Sequence, residues 1–116
     1  MIKTVKKIKA GDVLVIEGEE SYSMFFVRTG KLEAFKDVKG VETKLGDINE
    51  KEMVGEMSFF EKTPRAATVK AVTDCELVEF PYEQFHKMLE ALPDWNVGLI
   101  NCLIGRLRQV EEKLNV

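Results

Sequence analysis

The sequence is poor in the residues from which metal centres and disulfide frameworks are built. Its 116 residues include one histidine, one tryptophan, three prolines and two cysteines. A histidine-based metal site, or an enzyme built on a histidine cluster, would need partners for His86 that the sequence lacks. Cys75 and Cys102 lie far apart and show no CxxC spacing, so free thiols in a reducing cytosol are expected instead of a disulfide. We therefore expect a cytoplasmic protein that holds no metal.

Long apolar runs and an excess of basic charge are lacking too. No stretch approaches the roughly 20 apolar residues of a membrane-spanning helix, and no signal peptide is expected, because only scattered apolar residues follow the first lysines. With 17 Lys and Arg against 20 Asp and Glu, the net charge is −3, which argues against direct nucleic-acid binding. The motifs of serine hydrolases, P-loop proteins and dinucleotide-binding folds are also absent. These absences favour a single, non-enzymatic domain, for which this chain length is suitable.

The first part of the chain is rich in β-forming residues. Short runs of β-branched and aromatic residues, separated by glycines, predict strands at residues 3–8, 13–16, 24–27, 32–35, 66–72 and 76–80. Residues 24–27 are apolar at every position, as expected of a strand that is covered on both faces. Many short strands with regular turn signals are typical of a sandwich, a barrel or a jelly roll.

From residue 81 onwards the apolar residues recur at helical spacing. A first helix is indicated by Phe85, Met88, Leu89 and Leu92, and Pro81 suits its first turn. Pro93 ends that helix, and a second one is predicted from residue 94 to about residue 115. Its apolar positions step by three and four residues and form a short heptad seam, made of Ile100, Leu103, Leu107, Val110 and Leu114. The seam predicts either a homodimer through this helix or packing of the helix on its own domain.

Residues 55–69, GEMSFFEKTPRAATV, form a candidate anion site. They combine a glycine, a segment long enough for one helical turn, and an arginine that enters a strand. The first N–H groups of a helix have no partner within the helix and favour a phosphate, and Arg65 adds a planar set of charge-assisted donors. A sugar on that phosphate would offer hydroxyls to Glu56. A purely structural interpretation also stays open, with Glu56 at a helix N-terminus and Arg65 in a surface ion pair.

The same segment strongly resembles the phosphate-binding cassette of the cyclic nucleotide-binding domain family. The resemblance extends over nearly the whole chain. The family's opening strands and structural glycines are matched in order and spacing by residues 10–14, 17–19 and 24–27 and by Gly30, and residues 45–48 and 73–77 match the segments before and after the cassette. The resemblance implies a mainly β fold: an eight-stranded β-roll, or double-stranded jelly roll, with a short cassette helix and two C-terminal helices. One domain would span residues 1–116, with the roll to about residue 80 and the helices at about 81–116. Lys51 stands where the family usually has a turn glycine.

The resemblance also implies the ligand site. Arg65 would pair with the cyclic phosphate, Glu56 would bind the ribose 2′-hydroxyl, and backbone N–H groups would complete the cradle. Ala66 stands where members that prefer cyclic GMP often carry threonine, so cyclic AMP is the expected ligand and cyclic GMP the less favoured one. Arg106 lies near the place where some members contact the purine, and a solvated helix arginine is the alternative. The expected ligand-binding residues are Gly55, Glu56, Met57, Ser58, Arg65, Ala66, Ala67 and Arg106.

By this resemblance the chain is a regulatory domain that senses cyclic AMP and relays occupancy through its C-terminal helices. Two alternatives stay open. One is a degenerate roll that acts only as a dimerisation or protein-interaction module, and the other is a cupin-type metalloenzyme, which would need more histidines. The expected partners are the nucleotide, a second copy of the chain, and an effector domain that is either fused or separate.

Overall fold

A computed structural model of the chain describes residues 4–56, 58 and 62–114, apart from the side chains of residues 108 and 111–114. Within this part, eight strands form two four-stranded antiparallel sheets, and two helices follow them. The chain divides into two compact units, a β-roll (Met1–Tyr82) and a helical unit (Glu83–Val116). The predicted mainly β fold with two C-terminal helices is therefore confirmed, whereas the assignment of both units to one domain stays a prediction.

Each sheet of the roll combines strands that are distant in the sequence. One sheet contains, in spatial order, β1 (Thr4–Ile8), β8 (Cys75–Pro81), β3 (Ser23–Thr29) and β6 (Met53–Val54). The other contains β2 (Val13–Val15), β7 (Thr68–Ala71), β4 (Leu32–Val38) and β5 (Val41–Ile48). Because neighbours such as β3 and β8 are not consecutive, the chain crosses repeatedly between the sheets, as in a jelly roll.

Alternate residues of these strands point into the roll and form its core. Val27, Leu32 and Leu77 have no exposed surface, and Val27 pairs with Leu77 across β3 and β8. The core is completed by Ile8, Val15, Phe25, Val54, Val69, Ala71 and Cys75. Met24, on the opposite face of β3, is also buried, so this strand is covered on both faces as its apolar run predicts.

The turn at Lys51 adopts the backbone conformation that glycine favours. Lys51 has a φ of 69°, and the turn is closed by the Glu52 N–H, which donates to the Asn49 carbonyl at 3.2 Å. The Lys51 N–H and the Val27 carbonyl join this turn to strand β3 at 2.7 Å. A lysine therefore occupies a left-handed position that is sterically costly for a residue with a Cβ.

Two helices follow the strands, α1 (Tyr82–Glu90) and α2 (Asp94–Leu114), and all their residues except Tyr82 belong to the helical unit. Pro81 is the last residue of β8, so it precedes α1 and does not lie in its first turn. Pro93 separates the two helices as predicted. Neither described helix combines the length and the apolar character that crossing a membrane would require.

Helix α2 carries a row of apolar side chains that are each more than half exposed. This exposed stripe consists of Trp95, Leu99, Leu103, Leu107 and Val110. Three of its members belong to the predicted heptad seam, whereas Ile100 is only partly exposed. The side chain of Leu114, the last residue of that seam, lies outside the described residues.

Candidate functional site

Arg65 is held inside the roll by its own backbone. Its N–H donates to the Glu19 carbonyl at 2.8 Å, and its carbonyl accepts from the Gly18 N–H at 2.9 Å. This pair of bonds ties the segment before β7 to the loop after β2. The residue is 8% exposed as a result, which places the guanidinium in the interior instead of in a surface ion pair.

Gly55 provides the space that the guanidinium occupies. A Cβ built on Gly55 would overlap Nη1 of Arg65 and would lie 3.8 Å from the Ser23 carbonyl oxygen. The φ of Gly55 is +79°, a value that residues with a Cβ rarely adopt. Glycine is therefore required here both by the backbone conformation and by the close approach of Arg65.

The guanidinium of Arg65 is buried without full hydrogen bonding. Its Nη1 has no hydrogen-bond partner among the described residues, and its Cζ lies 5.9 Å from the centre of the Phe25 ring. Burial lowers the pKa of Arg65, and the negative charges of Glu79 and Glu19 oppose that shift. Because a buried cationic donor is costly when it is unpaired, this arrangement is suited to receive an anion.

The two residues that the structure describes directly after Gly55 are helical. Glu56 and Ser58 both have helical conformation, and Ser58 is 5% exposed, with its Oγ 3.1 Å from the Gly55 carbonyl oxygen. Lys62 has a φ of 56°, and the Thr63 N–H donates to the Ser58 carbonyl at 3.2 Å. The bond from Thr63 thus ties the backbone just before Arg65 to Ser58.

The structure brings together part of the predicted site. Gly55 lies against Arg65, and the Ser58 hydroxyl donates to the Gly55 carbonyl at 3.1 Å. Glu56 and Ala67 are partly exposed, and Ala66 is exposed. Met57 lies outside the described residues. Arg106 belongs to α2 in the helical unit, where its side chain is exposed.

Two further residues complete the surroundings of the arginine, and neither was expected from the sequence. The Ser23 hydroxyl donates to Oε2 of Glu79 at 2.9 Å, and Glu79 pairs with Phe25 across strands β3 and β8. The sequence contains a pattern that identifies Glu79 as an inward residue, because side chains alternate between the two faces of a strand. Cys75 and Leu77 point inward, so the next inward position of β8 is Glu79, an acid where an apolar residue is expected.

The part of the chain that the structure describes contains no group of three or more His, Cys, Asp or Glu side chains that is arranged to hold a metal ion.

A comparison with protein families gives a match over residues 5–91 to the family described as "Cyclic nucleotide-binding domain". The chain is 29% identical over 112 residues to the cAMP-activated global transcriptional regulator CRP of Salmonella typhimurium, covering 95% of this chain and 53% of that protein. It is 30% identical over 103 residues to the lysophospholipase NTE1 of Phaeosphaeria nodorum, covering 88% of this chain and 7% of that enzyme. The chain therefore spans about half the length of the CRP relative.

Among solved structures, the chain is similar to the regulatory domain of Toxoplasma gondii PKA in complex with cAMP. The TM-score is 0.72 and the sequence identity is 30%, and the match covers 73% of this chain and 33% of the other. The domain of this type thus occurs in proteins that are regulators by name and also in a protein that is named as an enzyme.

Proposed function

This chain belongs to the cyclic nucleotide-binding domain family, and we propose that it is a regulatory domain that senses cyclic AMP. The observation that carries the proposal is the buried Arg65 guanidinium, whose Nη1 has no partner among the described residues. The phosphate of a cyclic nucleotide has one negative charge and exocyclic oxygens that accept hydrogen bonds. Such a ligand would satisfy this donor and offset the cost of burying the cation.

In this proposal each part of the cassette binds one part of the nucleotide. Arg65 pairs with the phosphate, Glu56 accepts from the ribose 2′-hydroxyl, and backbone N–H groups line the phosphate between these two side chains. The contributing backbone and neighbouring positions are Gly55, Met57, Ser58, Ala66 and Ala67. The close approach of Gly55 to the guanidinium and the helical conformation of Glu56 support these roles, because the first N–H groups of a helical turn have no partner within it.

The choice of cyclic AMP over cyclic GMP rests on Ala66. This residue follows the arginine and is exposed, and its side chain has no hydroxyl group that could bond to guanine. The extra donors of guanine would then lack a protein partner, which lowers the relative affinity. The cAMP in the name of the CRP relative and in the PKA regulatory-domain complex is consistent with this choice. Arg106 is retained as a proposed contact of the purine.

We further propose that the helical unit relays occupancy and that the chain forms a homodimer through α2. The exposed stripe on α2 supports the dimer, because apolar rows of this kind are normally covered by a partner. Two conformations that differ in nucleotide affinity are required for the relay. The domain itself is proposed to be non-enzymatic and cytoplasmic, with a fused or separate effector. Its free cysteines, Cys75 and Cys102, suit a reducing compartment.

Calorimetric titration with cyclic AMP tests the proposal. Arg65→Ala should weaken binding by about ten- to a hundredfold, since hydrogen bonds to a charged group contribute about 1.5–3 kcal/mol. Arg28→Ala is the matched control, because Arg28 lies on β3, is half exposed and pairs with Glu76 at 3.2 Å. Its affinity should equal that of the wild type.

Three results would contradict the proposal. The absence of any binding by the wild type would favour a roll that serves only for association. An equal loss in both arginine variants would show that Arg65 has no special role. Tighter binding of cyclic GMP than of cyclic AMP would refute the assigned nucleotide, while leaving cyclic nucleotide binding intact.

A further inference from the structure

Strand β8 places a carboxylate on the inner side of the roll, across from the phenylalanine whose ring lies near the buried arginine. Glu79 continues the inward row of Cys75 and Leu77, and it pairs with Phe25, whose ring lies 5.9 Å from Cζ of Arg65. Glu79 is only partly exposed. An acidic side chain in such a row is costly unless a positive charge or a hydrogen bond compensates it.

Glu79 is compensated without being bonded to the arginine. Its Oε2 accepts from the Ser23 hydroxyl at 2.9 Å, while Nη1 of Arg65 keeps no hydrogen-bond partner among the described residues. Glu79 nevertheless acts on Arg65 through its charge, because it opposes the effect of burial on the pKa of the guanidinium. The hydrogen bond from Ser23 thus holds the Glu79 carboxylate where its charge acts on Arg65, while Nη1 of Arg65 has no hydrogen-bond partner among the described residues.

Glu19 is a second acid whose charge reaches Arg65, and it acts from a different environment. Its side chain is exposed, so water and salt screen its charge. Glu79 lies on the inner face of a strand, where screening is weaker. Of these two acids, Glu79 therefore acts on the cation with the less screened charge.

We propose that Glu79 is the internal counter-charge of Arg65 and that it competes with the phosphate of the bound nucleotide for the same cation. The proposal rests on the proposed function, which supplies the phosphate. In the empty roll Glu79 offsets part of the cost of burying Arg65. When the phosphate enters, two anions face one cation, and their repulsion lowers the affinity. Glu79 thus stabilises the ligand-free protein and weakens binding, and Ser23 positions it for both effects.

A pair of identical substitutions on one strand tests the effect on binding. Glu79→Gln keeps the shape and an acceptor for Ser23 but removes the charge, and it should bind cyclic AMP roughly threefold to tenfold more tightly. Glu76→Gln is the control, because Glu76 faces outward on β8 and pairs with Arg28 at 3.2 Å. It removes the same net charge and should leave the affinity unchanged.

Adenosine, which has no phosphate, separates an effect of charge from a change of pocket shape. Its affinity, measured by competition, should be equal in the wild type and in Glu79→Gln, since repulsion acts only on an anionic ligand. If both ligands gain or lose affinity together, Glu79 shapes the pocket and does not compete for the cation, which overturns the proposal. Unchanged or weaker binding of cyclic AMP to Glu79→Gln overturns it as well.

Thermal unfolding without ligand tests the counter-charge directly. Glu79→Gln should lower the melting temperature when Arg65 is present. In an Arg65→Ala background the same change should raise it, because Glu79 would then be an uncompensated charge. Equal shifts in both backgrounds would refute the coupling. A wild type that binds no cyclic AMP would refute both the proposed function and the proposed competition. The melting temperatures in the two backgrounds would still show whether Glu79 is the counter-charge of Arg65.

Discussion

The β-roll and the helical unit use their apolar side chains differently. In the roll, alternating residues such as Val27, Leu32 and Leu77 are withdrawn completely from solvent. In the helical unit, no described side chain is fully buried, and the exposed stripe runs along α2. The apolar surface of the roll therefore stabilises the fold of a single chain, whereas that of α2 is available for association.

The two units also differ in the backbone conformations that they contain. The lysines with positive φ, at positions 39, 51 and 62, all belong to the roll, as does the Gly55 that packs on Arg65. Among its described residues the helical unit contains no residue with positive φ. Strained positions thus cluster in the unit that carries the candidate site, which is where such strain is commonly tolerated.

The largest expected effect is on stability, and it compares one leucine from each unit. Leu77→Ala removes a side chain with no exposed surface and should destabilise the protein by about 2–5 kcal/mol. Leu107→Ala removes a side chain that is 54% exposed and should change the stability by less than about 0.5 kcal/mol. Denaturant unfolding at low protein concentration measures both. Similar losses would show that α2 is part of the folding core.

The next effect concerns binding, and it compares one glycine from each unit. Gly55→Ala should weaken binding of cyclic AMP by about ten- to a hundredfold, because its Cβ would displace the guanidinium and its φ is unsuited to alanine. Gly98→Ala adds the same methyl group to α2, where nothing lies within 4 Å of it, and should leave the affinity unchanged. Calorimetry on both variants decides whether the close approach of Gly55 to Arg65 matters for the ligand.

A third comparison tests whether the exposed stripe mediates association. Leu107→Glu places a charge within the stripe and should weaken a homodimer by about tenfold or more, because a charged side chain would be buried at the contact. Asn101→Glu is the control, since Asn101 is exposed on the opposite side of α2 at helical spacing. Sedimentation at several concentrations gives the masses. A wild type that stays monomeric at hundreds of micromolar would mean that no homodimer forms through α2.

Much of the roll is predictable because burial leaves a pattern in the sequence. Strands β3 and β8 contain apolar residues at most inward positions. The cassette contains a glycine, an acid and an arginine, and each of these has a chemical role in an anion site. Strand β5 escapes a residue-based prediction because most of its side chains are exposed, so no alternation marks it. Its pairing with β4, which includes a bulge between Ala34 and Phe35, is determined by contacts that are not local.

The candidate site was predictable only where its residues lie in one continuous segment of the sequence. Gly55, Glu56 and Arg65 belong to one segment, so their spacing indicates an anion site. Glu79 and Ser23 lie on other strands, and only the register between β3 and β8 brings them to the arginine. The sequence alone does not show that Arg65 is buried. Its burial depends on the hydrogen bonds between its backbone and that of Gly18 and Glu19, which lie in a distant loop.

The smallest expected effects come from two opposite substitutions, one in each unit. Lys51→Gly should stabilise the roll by about 0.5–1 kcal/mol, because glycine adopts the φ of 69° without steric cost, and this gain exceeds the added freedom of the unfolded chain. Gly105→Ala should stabilise α2 by about 1 kcal/mol, since alanine is the better helix former and nothing lies within 4 Å of its Cβ. Thermal unfolding should show a rise of a few degrees for each. Neither variant should change the association of the chain, since Gly105 lies four residues after Asn101, on the side of α2 away from the exposed stripe. A weaker association of Gly105→Ala would contradict a dimer contact through the stripe. If Lys51→Gly instead lowers the melting temperature, the lysine side chain contributes more to the turn than its backbone conformation costs.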